Sequence, residues 1–495
     1  MDTTTIRLHS GFPVGTVDPR VFGGFLEHIG RAVYEGVYQP GSAHADGHGL
    51  RTDVVAALKG LGFSLMRYPG GNFVSGYHWL NGIGPVAGRP TVRDMAWQSV
   101  ETNEFGTEEY MHLCRAIGCD PMLAVNLGTG TPEEARNWVE YCNCPPGTQY
   151  ADKRVEAGSP KAHDVRLWCL GNEMDGPWQI GHVPAVEYAL RAQQAAKIMK
   201  DTDRRLELVV CGTCVIDLPT YIEWDRQVLE HVGDYADYIS LHRYVGNKSG
   251  DLDDYLAVTA GIDRQIEEMD AVCRTVQARR RSAKRTYLCF DEWNVWYKNM
   301  EMDGAGKKAP HLIEEVYDLA DALVVAGFLN SFLRHADVVK IANLAQCVNV
   351  IAPLLTIGDR LLVQSTYHSF QMYSKRRTGI SLRTSVEGPR LTGKTNGTVP
   401  LIDTAAILDG NRLSVFLVNR SAASAAPVRI EMADHPTTAV RDAEILTGPG
   451  AGASNSLEKP DLVAARPFDG WKVSGGTAAA QLPPLSVAAV TFTVG

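Results

Sequence analysis

The sequence predicts an α/β protein in which a (β/α)8 barrel is joined to a smaller all-β sandwich of the jelly-roll kind. Eight short apolar runs, each followed by a segment with helical spacing, lie before about residue 376. Beyond that point the helical periodicity stops, and strand-like runs alternate with Gly, Pro, Asn and Ser. We therefore expect residues 17–376 to form the barrel and residues 377–495, together with 1–16, to form the sandwich.

The eight candidate barrel strands are short apolar runs bounded by Gly, Pro or polar residues, as buried parallel strands are. They begin at Val21, Phe63, Pro121, Arg166, Leu206, Tyr238, Tyr287 and Val338. Apolar residues at helical spacing predict long helices at 184–199, 256–281 and 312–334. A loop rich in Gly, Lys and Asp at 300–310 is expected to lie over the mouth of the barrel.

The predicted sandwich strands alternate in polarity and are separated by turn residues. They cover residues 413–418, 427–432, 439–446 and 487–494. Residues 3–9 alternate weakly, and we expect them to add a strand to the same sandwich rather than to the barrel.

The composition is typical of a soluble globular protein, with 495 residues, 45% hydrophobic and 21% charged. The net charge of -9 argues against nucleic acid and anionic membranes as partners. No secretory signal and no apolar run of bilayer length is found, so we expect a cytoplasmic protein. Cys211 and Cys214 have a metal or redox spacing, but without a second pair nearby core packing is the better interpretation.

Two glutamates follow predicted barrel strands, at the end where such barrels keep their chemistry. Asn172 and Glu173 come directly after the fourth strand, and Glu292 ends the seventh. Two carboxylates that meet at one cavity can hydrolyse a glycoside in two steps, one as general acid/base and one as nucleophile. Asn172 would hydrogen-bond a sugar hydroxyl beside the reacting carbon. The rival interpretation is that each glutamate only closes a salt bridge at the rim.

Further polar and aromatic residues fall close to strand ends. Glu27, Asn72 and Tyr244 either contact a ligand or stabilise loops, and the pattern alone does not separate these roles. His242 either orients a carboxylate or caps its strand. Three tryptophans are candidates for stacking on sugar rings, although each would suit a core or an interface equally well: Trp97, Trp178 and Trp296.

Four motifs together resemble glycoside hydrolase family 51, the intracellular-type α-L-arabinofuranosidases. They are Gly-Asn-Glu-Met-Asp-Gly at 171–176, Phe-Asp-Glu-Trp-Asn at 290–294, Arg-Tyr-Pro-Gly-Gly-Asn at 67–72 and Ala-Trp-Gln-Ser-Val-Glu-Thr-Asn-Glu-Phe at 96–105. The resemblance extends from residue 22 into the C-terminal β region. It implies a barrel with a β-sandwich and a retaining double displacement that uses no metal and no organic cofactor.

The resemblance also implies roles for individual residues. Glu173 would be the general acid/base and Glu292 the nucleophile. Five residues match positions that hold the arabinofuranose in such enzymes: Glu27, Asn72, Asn172, Tyr244 and Gln346. Family members are commonly hexamers, so a homohexamer is expected.

The implied reaction removes terminal arabinofuranosyl units from arabino-oligosaccharides, arabinan or arabinoxylan fragments. Retention requires the two carboxyl groups to lie about 5–5.5 Å apart. It also requires Glu292 to stay ionised, and we expect hydrogen-bond donors around it to keep its pKa low. The alternatives are another retaining barrel glycosidase, with β-xylosidase or endoglucanase activity, and a non-catalytic carbohydrate-binding protein.

Overall fold

The computed structural model describes residues 2–495 and contains a closed barrel of eight parallel strands. In chain order they are called the first to the eighth barrel strand: Gly23–Phe25, Leu65–Tyr68, Asp120–Val125, Leu167–Leu170, Glu207–Val210, Tyr238–Val245, Tyr287–Val295 and Val339–Leu344. The eighth strand pairs in parallel with the first, which closes the barrel. The predicted fold class is confirmed.

Helices flank the barrel strands on the outside, as the helical periodicity of the sequence predicts. They span Thr52–Leu61, Thr107–Ile117, Pro132–Asn143, Gln149–Glu156, Ala185–Thr202, Glu223–Val232, Leu252–Leu256, Thr259–Arg280, Leu319–Arg334 and Ser365–Ser374. Within the described residues, no helix combines the length and apolar character needed to cross a bilayer.

The long helix predicted from residue 312 begins only at Leu319, so that prediction is wrong at its N-terminal end. Asp318 stops the helix there because it forms a reciprocal cap with Asp321, each side chain accepting from the other residue's amide. The preceding Glu315 is buried, and its carboxylate accepts from the amide of Tyr297 in the loop after the seventh strand. Residues 312–317 are therefore fixed as an irregular segment near the mouth.

Inside the barrel, the first layer of side chains along the strands is apolar, and the next layer toward the C-terminal ends of the strands is charged. Leu65, Cys169 and Cys289 belong to a small cluster of buried apolar side chains inside the strands. Residues two positions further along a strand point to the same side. Two of these are Arg67 and Asp291, which are both buried. The charged side chains therefore lie directly next to a layer of packed apolar side chains.

Two antiparallel sheets form the sandwich. In spatial order, the five-stranded sheet contains Ser385–Glu387, Thr4–Leu8, Ala426–Met432, Thr477–Leu482 and Lys472–Ser474, although Thr4–Leu8 pairs in parallel with Ala426–Met432. The seven-stranded sheet contains Pro13–Thr16, Ile380–Leu382, Ile402–Asp409, Arg412–Asn419, Ser486–Val494, Thr437–Thr447 and Ala464–Pro467. The N-terminal segment joins the sandwich, as expected. The boundaries after residues 16 and 376 stay a prediction.

The seven-stranded sheet packs against barrel helices rather than standing apart. The ring of Tyr373 stacks on Phe416, with centroids 4.2 Å apart. Arg334, at the end of a barrel helix, reaches Asp403 of the sheet over 2.8 Å. These contacts join the barrel to the sandwich. They lie away from the mouth of the barrel, and the candidate site lies at that mouth.

Candidate active site

Glu173 stands on the turn that follows the fourth barrel strand. The strand ends at Leu170, and Gly171 and Glu173 both adopt left-handed backbone conformations, with φ of 94° and 44°. Glycine adopts such a φ freely, whereas glutamate does so rarely, and rare conformations cluster at functional sites. The carboxylate has a partner at each oxygen. Trp178 Nε1 donates to Oε2 over 2.6 Å, and His242 Nδ1 lies 2.8 Å from Oε1.

Glu292 owes its position to a β-bulge in the seventh barrel strand. The pairing register shifts between Phe290 and Trp293, and both of these rings pack outward against Phe332. The two residues between them, Asp291 and Glu292, therefore both face the inside of the barrel. A bulge re-aims side chains in this way and is common beside active sites. Here it supplies two successive carboxylates to the mouth.

Each oxygen of the buried Glu292 carboxylate accepts a hydrogen bond. An Nη of Arg67 donates to Oε1 over 2.7 Å, and the Tyr244 hydroxyl donates to Oε2 over 2.9 Å. Arg67 extends from the second barrel strand and is itself fully buried. The nucleophile candidate is thus fixed by neighbours from two different strands.

The two glutamates approach closely enough for a double displacement. One carboxylate oxygen of Glu173, one of Glu292 and a ring nitrogen of His242 all lie within 4.8 Å of one another. Retaining glycosidases have carboxyl groups about 5–5.5 Å apart, whereas inverting enzymes leave about 6.5–9.5 Å for a water molecule. The geometry therefore favours retention.

A buried cation layer lies beneath the two glutamates. Asp291 is 3.4 Å from Arg67 and 3.2 Å from His242 Nε2. Burial acts against the charged imidazole, but the charges of Glu292 and Asp291 outweigh it and raise the pKa of His242 well above its ordinary value. Burial would likewise raise the pKa of Asp291, yet Arg67 and His242 lower it. The raised pKa favours the charged form of His242, and a carboxylate oxygen lies close to each of its ring nitrogens.

The expectation that donors hold the pKa of Glu292 low is wrong. Burial is the largest influence and raises this pKa above its ordinary value, and the charge of Glu173 adds to the rise. His242 and Arg67 oppose burial but do not cancel it. The two cations thus limit the rise in the pKa of Glu292.

Glu27 follows the first barrel strand and supplies a third buried carboxyl group. Its Oε1 accepts from the Phe73 amide and from Trp97 Nε1, each over 2.9 Å. Gln346 accepts from the Glu27 amide over 3.0 Å. Burial, and secondly the charge of Glu292, raise the pKa of Glu27 to about 8, so the group is largely protonated at neutral pH.

Three side-chain amides form the opposite wall. Asn172 Oδ1 accepts from Arg67 over 2.7 Å, and its Nδ2 lies 3.4 Å from Asn72 Oδ1. Gln179 donates to Ser75 over 2.6 Å and lies 3.4 Å from Asn172 Nδ2. These contacts fix the orientation of the amide groups.

The three predicted tryptophans differ in their contacts. Trp97 is 8% exposed and bonds Glu27, whereas Trp178 is 48% exposed and bonds Glu173. Trp296 reaches neither carboxylate. Its Nε1 donates to the carbonyl of Asn299, and its ring packs edge-on against Tyr244 at 5.6 Å between centroids. Trp296 is therefore the one predicted site residue outside the network of hydrogen bonds and close polar contacts around the carboxylates.

Comparisons with known proteins identify relatives of the whole chain. Family profiles described as "Alpha-L-arabinofuranosidase 1 domain" and "Alpha-L-arabinofuranosidase C-terminal domain" match residues 57–255 and 291–486. An "Intracellular exo-alpha-(1->5)-L-arabinofuranosidase" from Streptomyces lividans is 42% identical, covering 98% of this chain and 75% of the relative. An "Exo-alpha-(1->6)-L-arabinofuranosidase" from Bifidobacterium longum is 38% identical, covering 99% and 97%. A solved family 51 α-L-arabinofuranosidase from Bifidobacterium longum is 36% identical with a TM-score of 0.95, covering 99% and 100%.

The chain belongs to the family 51 α-L-arabinofuranosidases. In this family 51 chain, sequence reasoning missed the parts that Arg67, Asp291 and Gln179 play in the site. A signal for the first two existed, because each is a charged residue inside an otherwise apolar run that was predicted to be a buried strand. Such a charge must be paired inside the fold. Gln179 gave no comparable signal.

Proposed function

We propose that this family 51 protein is a retaining, exo-acting α-L-arabinofuranosidase that removes terminal non-reducing arabinofuranosyl units. The observation that carries the proposal is the approach of Glu173 and Glu292, with one oxygen of each inside a triplet of atoms spanning at most 4.8 Å. Donors on both carboxylates fix their orientation. Such preorganisation is where most catalytic power comes from.

In the first step, Glu292 attacks the anomeric carbon while the bond to the leaving oxygen breaks. Glu173 transfers its proton to that oxygen, so the rest of the substrate leaves as an alcohol and the terminal arabinosyl group becomes β-linked to Glu292. As negative charge leaves Glu292, Arg67 and Tyr244 keep the carboxyl group in place.

In the second step, Glu173 acts as a base. It takes a proton from a water molecule whose oxygen attacks the anomeric carbon, and the bond to Glu292 breaks. The product keeps the α configuration because two inversions have occurred. Glu173 is suited to this exchange with water, since it lies on the turn at the mouth beside the half-exposed Trp178.

The furanose would be held by Glu27, Asn72, Asn172, Tyr244 and Gln346. Amide groups donate and accept at once, which suits sugar hydroxyls. A protonated Glu27 would do the same, and its pKa of about 8 supports that state. Asn172, already oriented by Arg67, would contact the hydroxyl next to the anomeric carbon.

Arabino-oligosaccharides, arabinan and arabinoxylan fragments are the proposed substrates. The relatives' names include both (1->5) and (1->6) linkages, so a panel of linked arabinobioses is the appropriate test of preference. We place the enzyme in the cytoplasm, where it would meet imported oligosaccharides, because the Streptomyces relative is named intracellular. A homohexamer is proposed on the family resemblance, and light scattering of the purified chain tests it.

The deciding experiment compares hydrolysis of 4-nitrophenyl α-L-arabinofuranoside by the wild type, Glu292→Ala and Glu173→Ala. We expect Glu292→Ala to lose at least about 10⁴-fold in kcat. Glu173→Ala should retain more activity, because this leaving group needs little protonation. Azide should then give an α-configured glycosyl azide with Glu173→Ala, by attack on the intermediate, and a β-configured one with Glu292→Ala, by direct displacement.

Other outcomes would overturn parts of the proposal. The opposite pattern of azide products would exchange the two residue roles. Turnover of only a xyloside or a glucoside would keep the mechanism and replace the substrate. A folded wild type that binds arabinose without turnover would be a carbohydrate-binding protein.

A further inference from the structure

Glu173, His242 and Glu292, at the mouth of the barrel, each direct one atom that could bind a metal ion toward the same position. Glu173 Oε1 lies 2.8 Å from His242 Nδ1, and Glu292 Oε2 lies 3.4 Å from the same nitrogen. Of all His, Cys, Asp and Glu side chains in residues 2–495, these form the one group of three whose ligand atoms lie within 4.8 Å of one another.

Each of the three is anchored through its other polar atom. Trp178 holds Glu173 through Oε2, and Arg67 holds Glu292 through Oε1. Asp291 Oδ1 lies 3.2 Å from His242 Nε2. A carboxylate behind a histidine is the outer-shell arrangement that orients histidine ligands in zinc proteins. The contact between Asp291 and His242 involves Nε2, on the side of the imidazole ring that points away from Glu173 and Glu292. It is therefore independent of the contacts among Glu173, His242 and Glu292.

The spacing suits a small tetrahedral ion. Zinc binds nitrogen and oxygen ligands at about 2.0–2.2 Å, which places ligand atoms about 3.4 Å apart. The observed separations of 2.8 and 3.4 Å, with the third inside 4.8 Å, therefore need to change by at most about 1.4 Å each. Tyr244 need not leave, because a carboxylate oxygen can accept its hydrogen bond and bind an ion through a second lone pair.

The surrounding charge also favours a dication. When His242 coordinates as neutral imidazole, it releases its Nδ1 proton to solvent. Three carboxylates, those of Glu173, Asp291 and Glu292, then surround the position, and one guanidinium, that of Arg67, opposes them.

We propose that Glu173, His242 and Glu292 form a binding site for a divalent transition-metal ion of the zinc class, and that this ion excludes substrate from the sugar pocket. The ion occupies the space between acid/base and nucleophile and leaves its fourth position toward the furanose. The proposal rests on the geometry of the site and not on the assigned substrate. It makes the ion a reversible, competitive inhibitor and gives it no part in hydrolysis.

The test is isothermal titration of chelator-treated full-length protein with zinc chloride. We expect one zinc ion per wild-type chain and no comparable binding of magnesium, which demands six oxygen ligands in octahedral geometry. His242→Gln should weaken zinc binding by more than the roughly 10–100-fold that loss of an outer-shell partner costs. Glu173→Gln, which keeps shape and removes charge, should weaken it as well and serves if His242→Gln does not fold.

The matched control removes a rival pair of histidines on the surface. The rings of His48 and His112 lie 3.7 Å apart, and His112 is 3.5 Å from Asp46 at the edge of a groove. The double variant His48→Gln, His112→Gln should bind zinc as the wild type does. Zinc binding that survives both His242→Gln and Glu173→Gln, or that disappears in the double variant, would overturn the proposal, as would a wild type that binds no zinc.

Kinetics supply the second readout. Zinc should raise the apparent KM for 4-nitrophenyl α-L-arabinofuranoside and leave kcat unchanged, and a chelator should restore the original KM. A fall in kcat at constant KM would contradict occupation of the sugar pocket. If the chain hydrolyses no arabinofuranoside, the proposed function fails, while the titration still decides whether the metal site exists.

Discussion

The two proposed catalytic carboxylates, Glu173 and Glu292, stand in different kinds of surroundings. Glu292 is part of a strand, is buried, and receives its main hydrogen bond from the guanidinium of Arg67. Glu173 stands on a turn with a left-handed backbone, and one of its donors is the half-exposed indole of Trp178. The proposed nucleophile is therefore held by charge within the sheet, whereas the proposed acid/base is held partly by a neutral donor at the rim.

This difference follows the demands of the two roles. A nucleophile must be held in its attack position, about 3–3.5 Å from its target, and must be ionised when it attacks. An acid/base must exchange protons with the leaving group and then with water. His242 touches both carboxylates and couples the two surroundings. The contrast predicts that damage on the nucleophile side costs more than damage on the acid/base side.

Among changes to the residues that surround the two carboxylates, Arg67→Ala should have the largest effect. Glu292 and Asp291 would then share only His242 as a buried cation. Breaking a buried ion pair costs about 3–5 kcal/mol of unfolding free energy, and losing a preorganised donor costs about 10²–10³ in kcat. Denaturant unfolding and arabinofuranoside kinetics measure the two effects.

The matched control for that change is Arg154→Ala. Arg154 is also fully buried, but it donates to the carbonyl groups of Tyr141 and Cys144 and lies outside the site network. It should lose stability and keep the kcat of the folded enzyme. Arg67→Lys should recover part of the activity, since it restores the charge without the planar fork. Near-normal kcat in Arg67→Ala would refute the role given to charge on the nucleophile side.

The contrast between the two carboxylates could be read from the sequence only in part. The apolar runs and their spacing predicted eight strands, and strand ends predicted Glu173 and Glu292 as neighbours. The sequence pattern cannot predict the direction of a side chain where the two-residue alternation of a strand is interrupted. A regular strand would turn Asp291 and Glu292 to opposite faces, and only the bulge turns both inward. The register shift depends on pairing with neighbouring strands, which no local window of sequence contains.

The burial of charge was equally hard to foresee. Donors around Glu292 were expected to lower its pKa, yet burial raises it, because the depth of a side chain depends on the whole barrel. Helix 319–334 gives a smaller example. Its apolar periodicity extends back to Leu312, but the cap formed by Asp318 and Asp321 overrides it. Local hydrogen bonding decides a boundary that periodicity leaves open.

A second test concerns Glu27, the buried carboxyl group that faces the nucleophile. Its pKa rises from 4.5 to about 8 on folding, so between these values the folded state holds a proton that the unfolded state has lost. Stability supplied by protonated Glu27 is therefore complete below about pH 4.5 and declines as the pH rises toward 8. Glu27→Gln lacks this loss.

We expect the stability of Glu27→Gln relative to wild type to increase with pH across that window, by up to about 1.4 kcal/mol per pH unit. Urea unfolding at pH 5, 6.5 and 8 measures the difference. The matched comparison is Glu101→Gln, because the buried Glu101 has a lowered pKa despite its burial, chiefly through His28. Between pH 5 and 8 its advantage over glutamine should stay nearly constant, because a lowered pKa makes that advantage shrink only on acidification below about pH 4.5. A flat difference for Glu27→Gln would mean that Glu27 is already ionised in the folded protein.

The smallest effect is expected on the acid/base side, from Trp178→Phe. The change removes the Nε1 donor from Glu173 and keeps an aromatic ring on a half-exposed position, so the unfolding midpoint should scarcely move. A buried hydrogen bond to a charged group contributes about 1.5–3 kcal/mol. Because Trp178 is half-exposed, its hydrogen bond should contribute near the lower end of that range, so its loss should slow the reaction about tenfold. The loss should appear with arabino-oligosaccharides, which need a proton on the leaving oxygen, and be nearly absent with the 4-nitrophenyl substrate.

The matched control is Trp296→Phe. The indole of Trp296 bonds only Asn299, so this variant should show no such substrate dependence. Equal losses on both substrates in Trp178→Phe would mean that the indole supports sugar binding rather than proton transfer.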